Sequence, residues 1–140
     1  MFIDASALVA VLLDEPDADA LIDRFDEFQG QLRFSALTRY EAAISLARAK
    51  TLETNRKPAA EMIETALKRV DGLLAELGAE EVPIAGSIGT LAVEAAARYG
   101  KAVAHAADLN FGDCFSYACA KSLGTRLIYK GNDFALTDLA

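Results

Sequence analysis

The chain has 140 residues, 53% hydrophobic and 25% charged, which fits a single globular domain with a real core and excludes a disordered or low-complexity protein. Its net charge of −7 argues against a nucleic acid held by overall charge, though not against one held by a local basic patch. No apolar run reaches the ~20 residues of a membrane span; the opening apolar segment is short and interrupted by Asp4, so a cytoplasmic protein is expected.

The opening MFIDASAL predicts a short strand, Phe2 to Asp4, and then a helix from about Ser6 to Leu13. The turn Asp14-Glu15-Pro16-Asp17 stops that helix. A second helix fits Ala18 to Phe28, with Leu21, Ile22, Phe25 and Phe28 along one side. After the Gln29-Gly30-Gln31 break come a strand, Leu32 to Ser35, and a helix, Thr38 to Lys50. A polar link over Leu52 to Pro58 leads to a long helix, Ala59 to Leu77, which Gly78 ends. A strand over Glu80 to Ile84 and a helix over Ile88 to Tyr99 follow. Gly100 to Gly112 reads as an ordered loop, Asp113 to Leu123 as a helix, Arg126 to Tyr129 as a strand and Gly131 to Ala140 as a short tail. Strands alternating with helices predict an α/β sandwich with a mostly parallel central sheet, whose sites gather at the carboxyl ends of the strands.

Four acids fall at element ends, and each has an ordinary role beside a chemical one. Asp4 suits the N-cap of the first helix as well as a functional acid. Glu41 completes the Thr38-x-x-Glu41 spacing of a capping box, a common pattern. Asp113 opens a helix that Asn110 is able to cap, and its charge is favoured by the helix dipole. Asp133 lies in Gly131-Asn132-Asp133, which is turn chemistry, with the Asn132 amide oxygen as a second candidate beside it. Together, carboxylates converging on one edge of a parallel sheet repel one another unless cations offset them. An oxygen-only set with few imidazoles and no thiolates favours Mg²⁺ or Mn²⁺ over zinc, with Asp4 as a ligand.

Other residues add less. Ser6 suits a hydrogen bond to Asp4 or ordinary first-turn chemistry. His105, the sole histidine, reads as a satisfied or solvent-facing side chain, and nothing completes a triad around it. Cys114 and Cys119, five apart on one helix, are poorly placed for a mutual disulfide and read as small buried residues.

The segments FIDASAL, SALTRYEAA, LNFGDCFSYACAKSLG and LIYKGNDFALTDL together resemble PIN-domain ribonucleases, and within them the VapC toxins of type II toxin–antitoxin modules. The resemblance runs the length of the chain. It implies a single PIN domain over residues 1–140, a three-layer sandwich, and Mg²⁺-dependent endonucleolytic cleavage of RNA. It also implies inhibition by a cognate VapB-type antitoxin and a homodimer, the antitoxin seated in a groove between helices. The family's acids fall on Asp4, Glu41 and Asp113, with Asp4 and Asp113 as metal ligands and Ser6 as the hydroxyl that follows the first acid. The fourth acid shifts past Gly131 to Asn132 or Asp133, with Asp133 the choice because it is the acid; Asp108 matches no functional position. Arg39, Arg48, Lys50, Arg56 and Lys57 are candidates for holding the RNA backbone, or solvated helix and linker surface. A phosphoryl-transfer enzyme is the weaker rival, since a haloacid-dehalogenase-like protein needs an acid where Ser6 stands. A catalytically silent PIN scaffold that only binds RNA or antitoxin is the second alternative.

Overall fold

A computed structural model describes residues 1–52 and 56–139; positions 53–55 of the expected polar link, and Ala140 of the expected tail, lie outside them. The element order is β1 (Phe2–Ile3), α1 (Ala5–Leu12), α2 (Ala18–Glu27), β2 (Arg33–Ser35), α3 (Ala36–Ala49), α4 (Ala60–Glu76), β3 (Glu80–Val82), α5 (Gly86–Tyr99), α6 (Phe111–Leu123) and β4 (Leu127–Ile128). Short 3-10 turns occupy Lys101–Val103 and Asp133–Leu136.

The four strands form one sheet in the order β3-β2-β1-β4, every pair parallel. Successive residues of a strand face opposite sides, and the central strands use this to feed two cores. Phe2 and Leu127 pack with Ile88, Ala92, Tyr117 and Ala118 of α5 and α6. Their neighbours Ile3 and Ile128 pack with Leu8, Leu21, Phe25, Leu46 and Val70, from the helices of the other face. The result is helix, sheet, helix, as expected for the three-layer α/β sandwich. Helix α4 buries Ala66, Val70 and Leu74, a spacing of four that lays one stripe against α3 and α1. Arg39 of α3 grips Asp71 of α4 through both carboxylate oxygens, at 2.5 and 2.7 Å.

Helix starts differ from expectation in ways that matter for the site. The strand β1 stops at Ile3, and Asp4 is the N-cap of α1, accepting the Ser6 N–H. The capping box expected at Thr38 and Glu41 is instead made by Ser35 and Thr38: Thr38 N donates to Ser35 Oγ at 3.2 Å. No loop residue intervenes between β2 and α3, so the last strand residue caps the helix. Glu41 is thereby moved into the second turn, where no cap claims its carboxylate. Helix α6 begins at Phe111, two residues before Asp113, because Asn110 is its cap.

Candidate active site

In an all-parallel sheet the carboxyl ends of the strands share an edge. Asp4 follows β1 there and Glu41 lies a turn and a half into the helix that follows β2. Asp133 comes five residues after β4, and α6 brings its first turn to the same edge. Asp4, Glu41, Asp113 and Asp133 line one open cavity of about 330 Å³. Asn132 is not among its walls.

Each of the two deepest acids is fixed through one oxygen. Asp4 is 4% exposed, and its Oδ2 accepts from Ser6 N at 2.9 Å and Ser6 Oγ at 2.6 Å. Ser6 Oγ accepts in turn from Lys130 N at 3.0 Å, so the hydroxyl ties the acid to the segment after β4. Asp113 Oδ2 accepts from Asn110 N at 2.8 Å, while Asn110 Oδ1 accepts from Gly112 N and Asp113 N. This reciprocal pair is a true capping box, with Asn110 and Asp113 as its two ends. Among the described residues no hydrogen bond falls on Oδ1 of Asp4 or Asp113, and neither oxygen is a buried atom without a partner. Each remains open to the cavity.

Glu41 is held by shape. A Cβ placed on Gly112 would lie 2.0 Å from Glu41 Oε1, so the carboxylate occupies the space that a side chain at 112 would fill. Burial pushes the Glu41 carboxyl up to about 7, and the charges of Asp4 and Asp113 add to the shift. Asp113 is pushed up to about 6, chiefly by burial, against the lowering effect of its hydrogen bond from Asn110; Asp4, Asp133 and Asp108 raise it further.

Two wall residues were not evident from the sequence. Lys130 Nζ pairs with Glu15 Oε2 across the cavity. They are 115 residues apart, and the Glu15 turn carries no local sign beyond a helix stop. Lys130 is the one cation in the cavity wall among the described residues, and it is already engaged. Asp108 pairs with Lys101 outside the cavity, and His105 accepts from Ala107 N while packing edge-on against Tyr99. Both cysteines are buried and free. Arg39, which read as an RNA-holding candidate or solvated surface, pairs with Asp71.

The donor set suits a hard divalent cation: carboxylate oxygens with excess negative charge, and neither imidazole nor thiolate in the wall. Among the described residues no three His, Cys, Asp or Glu side chains are gathered closely enough to hold an ion unaided.

The raised carboxyls predict how the metal-free fold responds to pH. Glu41 and Asp113 bind protons more tightly folded than unfolded, so their contribution to stability is full below the unfolded values. It is lost as pH rises through about 6 for Asp113 and about 7 for Glu41. Thermal melts in chelator should show this acid-side gain fading across that window, and Mg²⁺ should raise Tm more at its upper end. A Mg²⁺ effect that grows toward acid pH would contradict the assignment.

Comparison with known proteins agrees with this geometry. The family model described as PIN domain matches residues 1–139. A VapC ribonuclease of Rhizobium meliloti is 45% identical over 139 residues, covering 99% of this chain and 98% of the relative. A ribonuclease VapC of Mycolicibacterium smegmatis is 38% identical, covering 100% of this chain and 98% of the relative. In three dimensions the chain resembles VapC20 of Mycobacterium tuberculosis, a toxin described as cleaving the sarcin–ricin loop. The TM-score is 0.72 and the identity 13%, covering 99% of this chain and 95% of that one. With the same architecture and full-length similarity to VapC ribonucleases, the chain belongs to the PIN-domain family.

Proposed function

We propose that this chain is the toxin of a type II toxin–antitoxin pair, a Mg²⁺-dependent endoribonuclease acting as one PIN domain in the cytoplasm. The observation that supports it most is a cavity walled by Asp4, Glu41, Asp113 and Asp133 whose one wall cation among the described residues is already paired with Glu15. Mg²⁺, or Mn²⁺ in its place, would be held by Asp4 and Asp113. When bound, such an ion supplies Lewis acidity for water activation and offsets charge on a phosphodiester oxygen. Ser6 fixes the orientation of Asp4, and Asn110 that of Asp113. Glu41, with its carboxyl raised to about 7, accepts the proton of the attacking water near neutral pH. Asp133, exposed in the same wall, would add a further carboxylate beside such an ion. The leaving oxygen takes its proton from solvent.

A VapB-type antitoxin is the inhibitory partner in this reading, and the toxin itself is a homodimer. No helix among the described residues is long and apolar enough to cross a membrane. The test is cleavage of single-stranded and structured RNA by purified protein. Cutting is expected with Mg²⁺, none with chelator, and inhibition by a cognate VapB-type antitoxin. Cutting that persists unchanged in chelator would overturn the metal-dependent reading.

A further inference from the structure

Most cations of this acidic chain are already engaged. Arg33, Arg39, Lys101, Lys121 and Lys130 pair with carboxylates, Arg24 and Arg69 donate to backbone carbonyls, and Arg98 lies over the Tyr99 ring. Among the described residues the cations without such a partner are Arg48, Lys50, Arg56, Lys57, Lys68 and Arg126. Four of these six fall between positions 48 and 57. Free cations clustered in a chain of net charge −7 point to an anionic ligand at that place.

Three of the four enclose a cavity of about 520 Å³ at the carboxyl end of α3, walled by Arg48, Arg56 and Lys57 with Tyr40, Ile44 and Leu52. Tyr40 is 61% exposed, so its ring is accessible at the cavity wall. The cavity adjoins the carboxylate site along α3. Glu41 and Ser45 line the acidic cavity, while Tyr40, Ile44 and Arg48, at the same spacing of four, line the basic one. The two therefore sit on neighbouring faces of one helix. From Glu41 to Arg48 is about 10 Å along the helix axis, the rise of roughly three stacked nucleotides.

We propose that this groove is a subsite for the single-stranded RNA flanking the scissile bond, with Arg48, Arg56 and Lys57 on phosphates and Tyr40 stacked on a base. It rests on the ribonuclease reading above and adds positioning residues to it. Repulsion from the carboxylate cavity leaves RNA without an electrostatic hold beside the reacting bond, and a cation cluster one helix face away supplies it. An exposed ring within a basic groove is the recurrent device for holding single strands without reading their sequence.

The experiment compares wild type with a R48A/R56A/K57A triple variant, Tyr40→Ala and Tyr40→Phe, using a fluorescent single-stranded RNA of random sequence. Binding is measured as a function of salt in the full-length chain carrying Asp4→Asn, and cleavage in chains with Asp4 intact. Loss of three phosphate contacts should flatten the slope of log affinity against log salt by about 2. Tyr40→Ala should weaken binding roughly tenfold, and Tyr40→Phe should restore it. In cleavage the loss should appear in KM. If wild type cuts RNA and the triple variant shows the same KM and salt slope, the subsite is wrong although the nuclease reading stands. If the triple variant keeps wild-type RNA parameters but escapes inhibition by a cognate VapB-type antitoxin, the groove belongs to that protein and the RNA proposal falls.

Discussion

Asp4→Asn is expected to lower RNA cleavage in Mg²⁺ by about a thousandfold or more while leaving the fold intact. The change is isosteric. Asparagine caps helices as well as aspartate does, so its side-chain oxygen still accepts the Ser6 N–H that starts α1. What disappears is one negative charge in a cavity walled by acids. The Asp4 charge also helps raise the Glu41 and Asp113 carboxyls, so both should move down toward ordinary values in the variant. The metal-free variant should then melt no lower than wild type at neutral pH, and higher to the extent that repulsion is relieved. Circular dichroism and a melting curve in chelator test the fold; labelled-RNA cleavage tests the chemistry. Activity that survives the substitution would remove Asp4 from the mechanism.

Gly112→Ala is the second large effect, and it separates the position of Glu41 from its charge. Position 112 is the second residue of α6, and its backbone is helical, a conformation that alanine adopts without strain. The helix itself should therefore tolerate the methyl. The added Cβ would meet Glu41 Oε1 at 2.0 Å, and the carboxylate, at the end of a flexible side chain, has to swing away. A displaced reacting group of about 1 Å is enough to cost ~100-fold in rate. The expected result is a folded protein with kcat reduced by about that factor. Wild-type turnover in Gly112→Ala would show that the reaction does not depend on where Glu41 sits.

The parts of this fold that local chemistry dictates could be read from the residues. Alternating strands and helices indicated a parallel α/β sandwich, and the sheet is parallel throughout. Asn110 beside Asp113 indicated a capped helix, although its start was expected two residues late. Convergence of the acids followed from topology alone, since strand ends and helix starts meet at one edge of a parallel sheet. Errors arose where two local patterns competed. Thr38-x-x-Glu41 has the spacing of a capping box, but Ser35 comes first and ends the strand, so it takes the cap and Glu41 is left for the cavity. Arg39 read equally as an RNA-holding cation or solvated helix surface, and nothing local foretold the Asp71 of α4 that pairs with it. The Glu15–Lys130 pair and the seating of Glu41 against Gly112 depend on residues far apart in sequence, and no local periodicity encodes them.

The most direct measurement is calorimetric titration of Mg²⁺ into chelator-stripped protein at neutral pH, with Asp4→Asn and Asp113→Asn in parallel. Saturable uptake by wild type that vanishes in both variants is the predicted outcome. Uptake that is equal in all three proteins, or absent from all three, would mean that these acids do not share an ion, and the catalytic account would give way to a silent scaffold.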